Sequence, residues 1–230
     1  MDSAAYLTHL RNEMTSFAAC LDGDLDTPVE HCGDWTLYDL ADHLGNGHLW
    51  SAAAVTERRK DYRGPAAPRD PKALATWFDQ TCTVLLTVLD TDPSTEAWTF
   101  FPPHTVAFWQ RRRCLEALVH RWDAEHAVGR PGKLDPTLAA DGVSEVFDTM
   151  APRQVKRGRA DEPDVAVRFT ADDAGTSWTY GPGEPVAEVS GSAADLLLLL
   201  WHRLDSAAPS LAWQGDRAAG QRLLAGLIVP

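Results

Sequence analysis

The chain has 230 residues, 44% of them hydrophobic and 23% charged, which fits one large globular domain or two modest ones and indicates no disorder. Its formal net charge of −12 argues against nucleic acid as a partner, because a binder must offset phosphate repulsion with clustered Lys and Arg. The late apolar run from Leu196 to Trp201 is far too short to span a bilayer, and the N-terminus lacks a basic region followed by an apolar one. No membrane association is expected, and the expected compartment is cytoplasmic. Cys20, Cys32, Cys82 and Cys114 lie far apart with no CxxC pair, so they predict reduced, mostly buried thiols and neither a zinc knuckle nor a disulfide framework.

In chain order, Ser3 to Leu21 carries Leu7, Leu10, Met14, Phe17 and Leu21 at helical spacing behind a cap at Asp2 or Ser3. A loop over 22–35 follows. Thr36 caps a second helix to about Arg59, with Leu40, His43, Leu44, Gly47 and Trp50 near one face. Five residues beyond His43, His48 points about 140° round that helix and is expected to line a cleft or face solvent. Pro71 suits the first turn of a third helix reaching Leu89. Residues 90–104 read as irregular or as a short hairpin. Thr105 precedes a fourth helix that ends at Gly129, and Leu138 to Met150 forms a further one. After Pro152 the pattern changes to alternation at Val165, Val167 and Phe169, with further strands at Ser177 to Tyr180 and Val186 to Val189, read as a β-meander. Ser192 caps an apolar helix to Arg203, and Asp216 starts a last one through Leu223, Leu224 and Leu227. The expected fold is α+β: a helical bundle over 1–150 and a small α+β domain over 160–230, joined by a polar, protease-sensitive linker at 150–160.

The chemistry concentrates in the fourth helix. Glu116 and His120 stand four apart, one turn above each other, so their side chains leave one face and can grip one ion. Such a pair is also common as a solvated surface pair, and a lone His43 in an apolar stripe is commonly a core residue. Asp123, three after His120, suits a group orienting that imidazole, a proton acceptor, or a plain surface acid. Arg58, Arg59 and Arg111 to Arg113 offer to receive an acidic ligand or simply meet solvent and acidic neighbours. Trp35, Trp50, Trp109 and Trp122 are accounted for by packing.

WTLYDLADHL (Trp35 to Leu44), RRRCLEALVHRWDAEHAVG, and VSGSAADLLLLLWHRL with WQGD together resemble the mycothiol-dependent maleylpyruvate isomerase family of the DinB-like superfamily, over nearly the whole chain. The resemblance implies a DinB-like four-helix bundle followed by a small sterol-carrier-like α+β domain. It also implies a divalent ion, usually zinc, held by His43, Glu116 and His120; the spacing of Asp123 makes it the candidate catalytic residue beside them. The implied activity is activation of a low-molecular-weight thiol, mycothiol, for isomerisation of, or transfer to, a small electrophile. The same ligands would permit a metal-dependent hydrolase using bound water, or a non-catalytic metal- or ligand-binding protein. The expected partners are the thiol and the electrophile, with the chain a monomer or weak homodimer.

Overall fold

A computed structural model describes residues 1–226 and 228–229. The chain forms two compact units, Met1–Gly132 and Lys133–Pro230.

The first unit is built on α1 (Ser3–Ala18), α2 (Leu37–Thr56), α3 (Pro71–Leu89) and α4 (Val106–Ala127). Each start has a sequence-level cause. Asp2 caps α1 by accepting from the Ala5 amide. Thr36 and Asp39 form a reciprocal capping box at α2, and Asp70 caps α3 with Pro71 in its first turn. Helices α1 and α2 end a few residues before the sequence expectation; Arg58, with φ 53°, is left-handed just past the end of α2. Helix α1 packs on α4 and α2 on α3, and the α2–α4 and α1–α3 contacts close the bundle. Leu10, Phe17, Leu40, Leu44, Leu74, Phe78, Leu85, Trp109 and Leu118 fill it and are almost wholly buried. Helix α4 is the central one, and it takes Arg112, Arg113, His120, Arg121 and Asp123 into the interior along with its apolar residues. Buried charge on this scale needs partners nearby.

The second unit begins earlier than the boundary expected at 150–160. The cause is packing: α5 (Pro136–Glu145) lies against α7 (Ala193–Leu200), so Leu138, Ala139 and Val143 bury with the C-terminal part of the chain. Helical structure also continues past Pro152, through a π turn at Val146–Met150 into α6 (Ala151–Lys156), whose first turn accommodates the proline.

Strands β1 (Ala166–Ala171), β2 (Thr176–Tyr180), β3 (Pro185–Gly191) and β4 (Ala212–Gly215) form one sheet in the order β2-β1-β3-β4. This corrects the expected meander. The β1–β2 and β3–β4 pairs are antiparallel, but β3 runs parallel to β1 on its other edge, and β4 was not foreseen as a strand. Helix α7 ends at Leu200, short of Arg203, with His202 left-handed at φ 59°. Helix α8 (Arg217–Leu224) starts at Asp216 as expected; Leu227, expected within it, lies outside the described residues.

Candidate metal centre and its cleft

Helices α2 and α4 bring His43 and Glu116 together, with His43 Nε2 3.2 Å from Glu116 Oε1. His120, one turn along α4, presents its ring edge-on to His43 at 5.3 Å between centroids. One ligand atom from each of His43, Glu116 and His120 lies within 4.8 Å of the others, a spread that donors around a single ion can reach by small side-chain rotations. Thus the three residues that the sequence placed on two separate helices share one locus.

The electrostatics keep the carboxylate ionised. Burial alone would raise the Glu116 carboxyl, but Arg113, Arg112 and the contact with His43 outweigh it and hold the group well below the usual carboxylate range. The Arg113 guanidinium donates to Glu116 Oε2 at 2.6 Å and to the Leu44 carbonyl at 3.3 Å, and Arg112 reaches the same Oε2 at 3.3 Å. Both arginines are buried, against the expectation of basic helix ends meeting solvent. Because they occupy Oε2, the other carboxylate oxygen is the one turned to His43. Gly47 makes this possible: a β-carbon there would stand 2.8 Å from Arg113 Nη1.

Burial lowers the His120 pKa, with Asp123 opposing, so the imidazole is neutral at pH 7 and able to donate a lone pair. His120 Nδ1 lies 3.0 Å from Asp123 Oδ2. This contact places the proton on Nδ1 and leaves the Nε2 lone pair available to a ligand, the arrangement in which an acid behind a histidine fixes its tautomer. Asp123 is only 2% exposed, so it is no surface acid. Cys32, from the loop between α1 and α2, approaches the same carboxylate oxygen, with Sγ 3.6 Å away.

In front of these residues is a cleft of about 560 Å³ lined by His43, Glu116 and Arg113, by Trp35 and Trp50, and by Tyr62 and Arg63 from the segment after α2. That segment is tied down by Trp50 Nε1 donating to the Lys60 carbonyl at 3.0 Å and by the Ala67 amide donating to Asp42 at 2.7 Å. At Gly64 a β-carbon would meet Asn46 Oδ1 at 2.2 Å, so a larger residue there would require the Asn46 side chain to move. Trp35 also packs on His43, 4.9 Å between ring centroids. Neither His120 nor Asp123 lines the cleft; they stand behind it.

Sequence reasoning missed Trp35, Trp50, Tyr62 and Arg63 as cleft residues. The loop residues carry no periodic signal, and packing explained the tryptophans. It also misplaced His48, which is wholly buried and neither in the cleft nor at the surface. None of the four cysteines is in a disulfide; Cys20 and Cys114 are buried, and Cys32 and Cys82 are partly so. No helix among the described residues is long and apolar enough to cross a membrane.

No curated protein matches the sequence. The fold is similar to the crystal structure of the mycothiol-dependent maleylpyruvate isomerase, with a TM-score of 0.65 and 16% identity over 93% of each chain. A mutant form of that enzyme aligns over 86% of this chain and 88% of its own, with a TM-score of 0.62 and 16% identity. The model of the mycothiol maleylpyruvate isomerase N-terminal domain matches residues 7–125, and that of the MDMPI C-terminal domain matches residues 137–222. With the N-terminal model alone covering more than half of the sequence, the chain belongs to the mycothiol maleylpyruvate isomerase family.

Proposed function

We propose that the protein is a metal-dependent enzyme that uses mycothiol to isomerise a small conjugated acid of the maleylpyruvate kind, with His43, Glu116 and His120 holding one divalent ion, zinc by donor chemistry. The observation that carries this reading is the convergence of two imidazoles and an ionised carboxylate from two helices, with His43 and Glu116 on the wall of a cleft and His120 directly behind them. Two neutral nitrogens and one carboxylate oxygen suit Zn²⁺ and leave it a coordination position for an external ligand. Such an ion, when bound, lowers the pKa of a thiol that reaches it, so that the sulfur is a thiolate at neutral pH.

The chain's own residues do the rest. Arg113 keeps Glu116 ionised and turns one oxygen toward His43, while Asp123 keeps His120 in the tautomer that offers Nε2. Trp35, Trp50 and Tyr62 wall the cleft and exclude water from the reacting carbons. Arg63, exposed at the cleft, receives a carboxylate of the electrophile and sets its orientation. The thiolate sulfur adds to one carbon of the conjugated cis double bond and the π electrons move into the adjoining carbonyl. The former double bond is then free to rotate, and return of the electrons expels the thiolate to leave the trans isomer. No atom is gained or lost, and the thiol is regenerated. Asp123 acts through His120 and is a positioning residue. A reducing cytoplasm, where a free low-molecular-weight thiol persists, fits four cysteines outside any disulfide.

The test joins metal analysis to turnover. Purified protein is expected to carry one equivalent of zinc at this centre and to convert maleylpyruvate only when mycothiol is added. Cobalt-substituted protein is expected to gain a thiolate-to-metal charge-transfer band on addition of mycothiol, and to lose it in His120→Ala. Turnover that persists after chelation, or that requires one of the four cysteines, would overturn the reading. Formation of a stable thiol conjugate without isomer would make the enzyme an S-transferase instead.

A further inference from the structure

A second group of ligating side chains lies on the same helix, at its C-terminal end. Glu30 and His31 come from the loop between α1 and α2, and His126 from the last turn of α4. One ligand atom from each lies within 4.8 Å of the others, and His126 Nε2 is 3.2 Å from Glu30 Oε2. The two imidazoles are held in place by an aromatic neighbour. The Trp122 ring, one turn before His126, stacks on His126 at 4.9 Å and 12°, and faces His31 at 5.9 Å and 29°.

The loop is also set by its backbone. The Val29 amide donates to the Trp35 carbonyl at 2.9 Å and the Leu37 amide donates to the Thr27 carbonyl at 2.9 Å, while the Val29 side chain is buried in the bundle core. These anchors present the turn at residues 30–34 to α4. Adjacent Glu30 and His31 thereby face a histidine nearly a hundred residues later, a set that no local motif would reveal.

We propose that Glu30, His31 and His126 form a second transition-metal site, separate from the centre at His43, Glu116 and His120. Two imidazoles and one carboxylate favour Cu²⁺ most strongly, with Zn²⁺ and Ni²⁺ next, and do not favour Mg²⁺ or Ca²⁺, which take oxygen ligands. Glu30 and His126 are exposed, so the site exchanges metal with solvent and serves to sense or buffer it. A bound ion would tie the loop to α4. Because the next residue, Cys32, touches Asp123, occupancy would bear on the acid that orients His120.

The proposal does not rest on the enzymatic reading, and the two are separable by titrating Cu²⁺ into tag-free His120→Ala protein, in which the cleft centre is disabled. The expected result is one tightly held equivalent, with electron paramagnetic resonance showing two imidazole nitrogens. Adding His126→Gln or His31→Gln is expected to weaken that binding at least tenfold and to reduce the nitrogen count, whereas His9→Gln, at a surface histidine elsewhere, changes neither. His126 and Glu30 are surface positions, and circular dichroism checks that each variant is folded. Unchanged Cu²⁺ binding in both the His126→Gln and His31→Gln backgrounds, or no tight equivalent in His120→Ala, would overturn the proposal. Loss of zinc at the cleft centre with this site intact would instead count against the enzymatic reading alone.

Discussion

Helix α4 carries two buried arginine–carboxylate clusters barely two turns apart, and their different surroundings separate a chemical site from a structural one. In the first, Arg113 meets Glu116 at 2.6 Å, and a free carboxylate oxygen remains to face His43 and the cleft. In the second, Arg121 is clasped by Glu13 of α1 at 2.7 Å and by Glu125 at 2.6 Å, and the Glu125 oxygen also accepts from the Gly132 amide at 3.1 Å. The first cluster has one acid for two arginines and opens on a cleft. The second has two acids for one arginine, each giving it one oxygen, with the Glu125 oxygen shared with backbone, so it ties α1 and the end of α4 together. The same residue types therefore hold a carboxylate ionised beside a cleft in one place and fasten helices in the other.

The comparison breaks most sharply at Glu116. Glu116→Ala removes one of the three proposed ligands and leaves the Arg113 guanidinium buried without its carboxylate, so metal binding and the buried ion pair are expected to fail together. Zinc content is expected to fall to near zero and turnover below detection, with about 3–5 kcal/mol lost from stability in urea unfolding. Retained zinc would remove Glu116 from the ligand set.

At the second cluster the loss should fall on stability alone. Arg121→Ala leaves Glu13 and Glu125 without their shared partner, a change expected to cost about 3 kcal/mol or more, while kcat per folded molecule and metal content stay within about twofold, because no ligand is touched. A fall in kcat as large as the fall in stability would show that the two clusters are coupled through α4.

Asp123 is buried against His120, and a subtler change probes it. Asp123→Asn keeps the shape but accepts a hydrogen bond less strongly and can turn its amide toward His120, favouring the wrong tautomer. Metal affinity is expected to drop about 10–100-fold, the usual cost of disturbing an acid behind a histidine ligand, with activity restored by excess zinc. Restoration by zinc separates a positioning role from a reacting one, for which no amount of metal would compensate.

The sequence made the first cluster legible in part. Glu116, His120 and Asp123 share one helix, where spacing translates into geometry, and the DLADHL stripe put His43 on the facing helix. Arg113 was visible only as one of three consecutive arginines, since its burial depends on the absence of a side chain at Gly47, on another helix. Trp35, Tyr62, Arg63 and Cys32 come from loops, where position is set by contacts such as Asp42 to Ala67 rather than by periodicity. The bundle helices were legible because caps and apolar spacing agree. The parallel pairing of β1 with β3 was not, because alternation within a short strand identifies its faces and says nothing of its direction.

His48 gives the smallest expected effect and a contrast of its own, since it is a buried histidine five residues from a ligand and yet outside the centre. Its Nδ1 lies 3.1 Å from Thr81 Oγ1, and that hydroxyl already donates to the Phe78 carbonyl at 2.8 Å. Nδ1 must therefore carry the proton and donate. Nε2 is left as a bare acceptor with no hydrogen-bond partner among the described residues. Protonating it would bury both a charge and an unpaired N–H, and burial, aided by Arg113, holds the pKa well below its ordinary value of 6.5. The sign follows directly. Above pH 6.5 the side chain is neutral in both folded and unfolded chains and adds no pH dependence. Below it the unfolded chain takes up a proton that the folded one refuses, so stability falls by about 1.4 kcal/mol per pH unit from this residue. Urea unfolding of zinc-loaded protein, in which metal would hold His43 and His120 neutral, should therefore show a steeper acid-side loss for wild type than for His48→Gln, by about one proton's worth. Equal slopes would mean that His48 is protonated in the folded bundle, and that water or a rearranged Cys82, whose Sγ stands 3.9 Å from Nδ1, supplies the partner that Nε2 lacks.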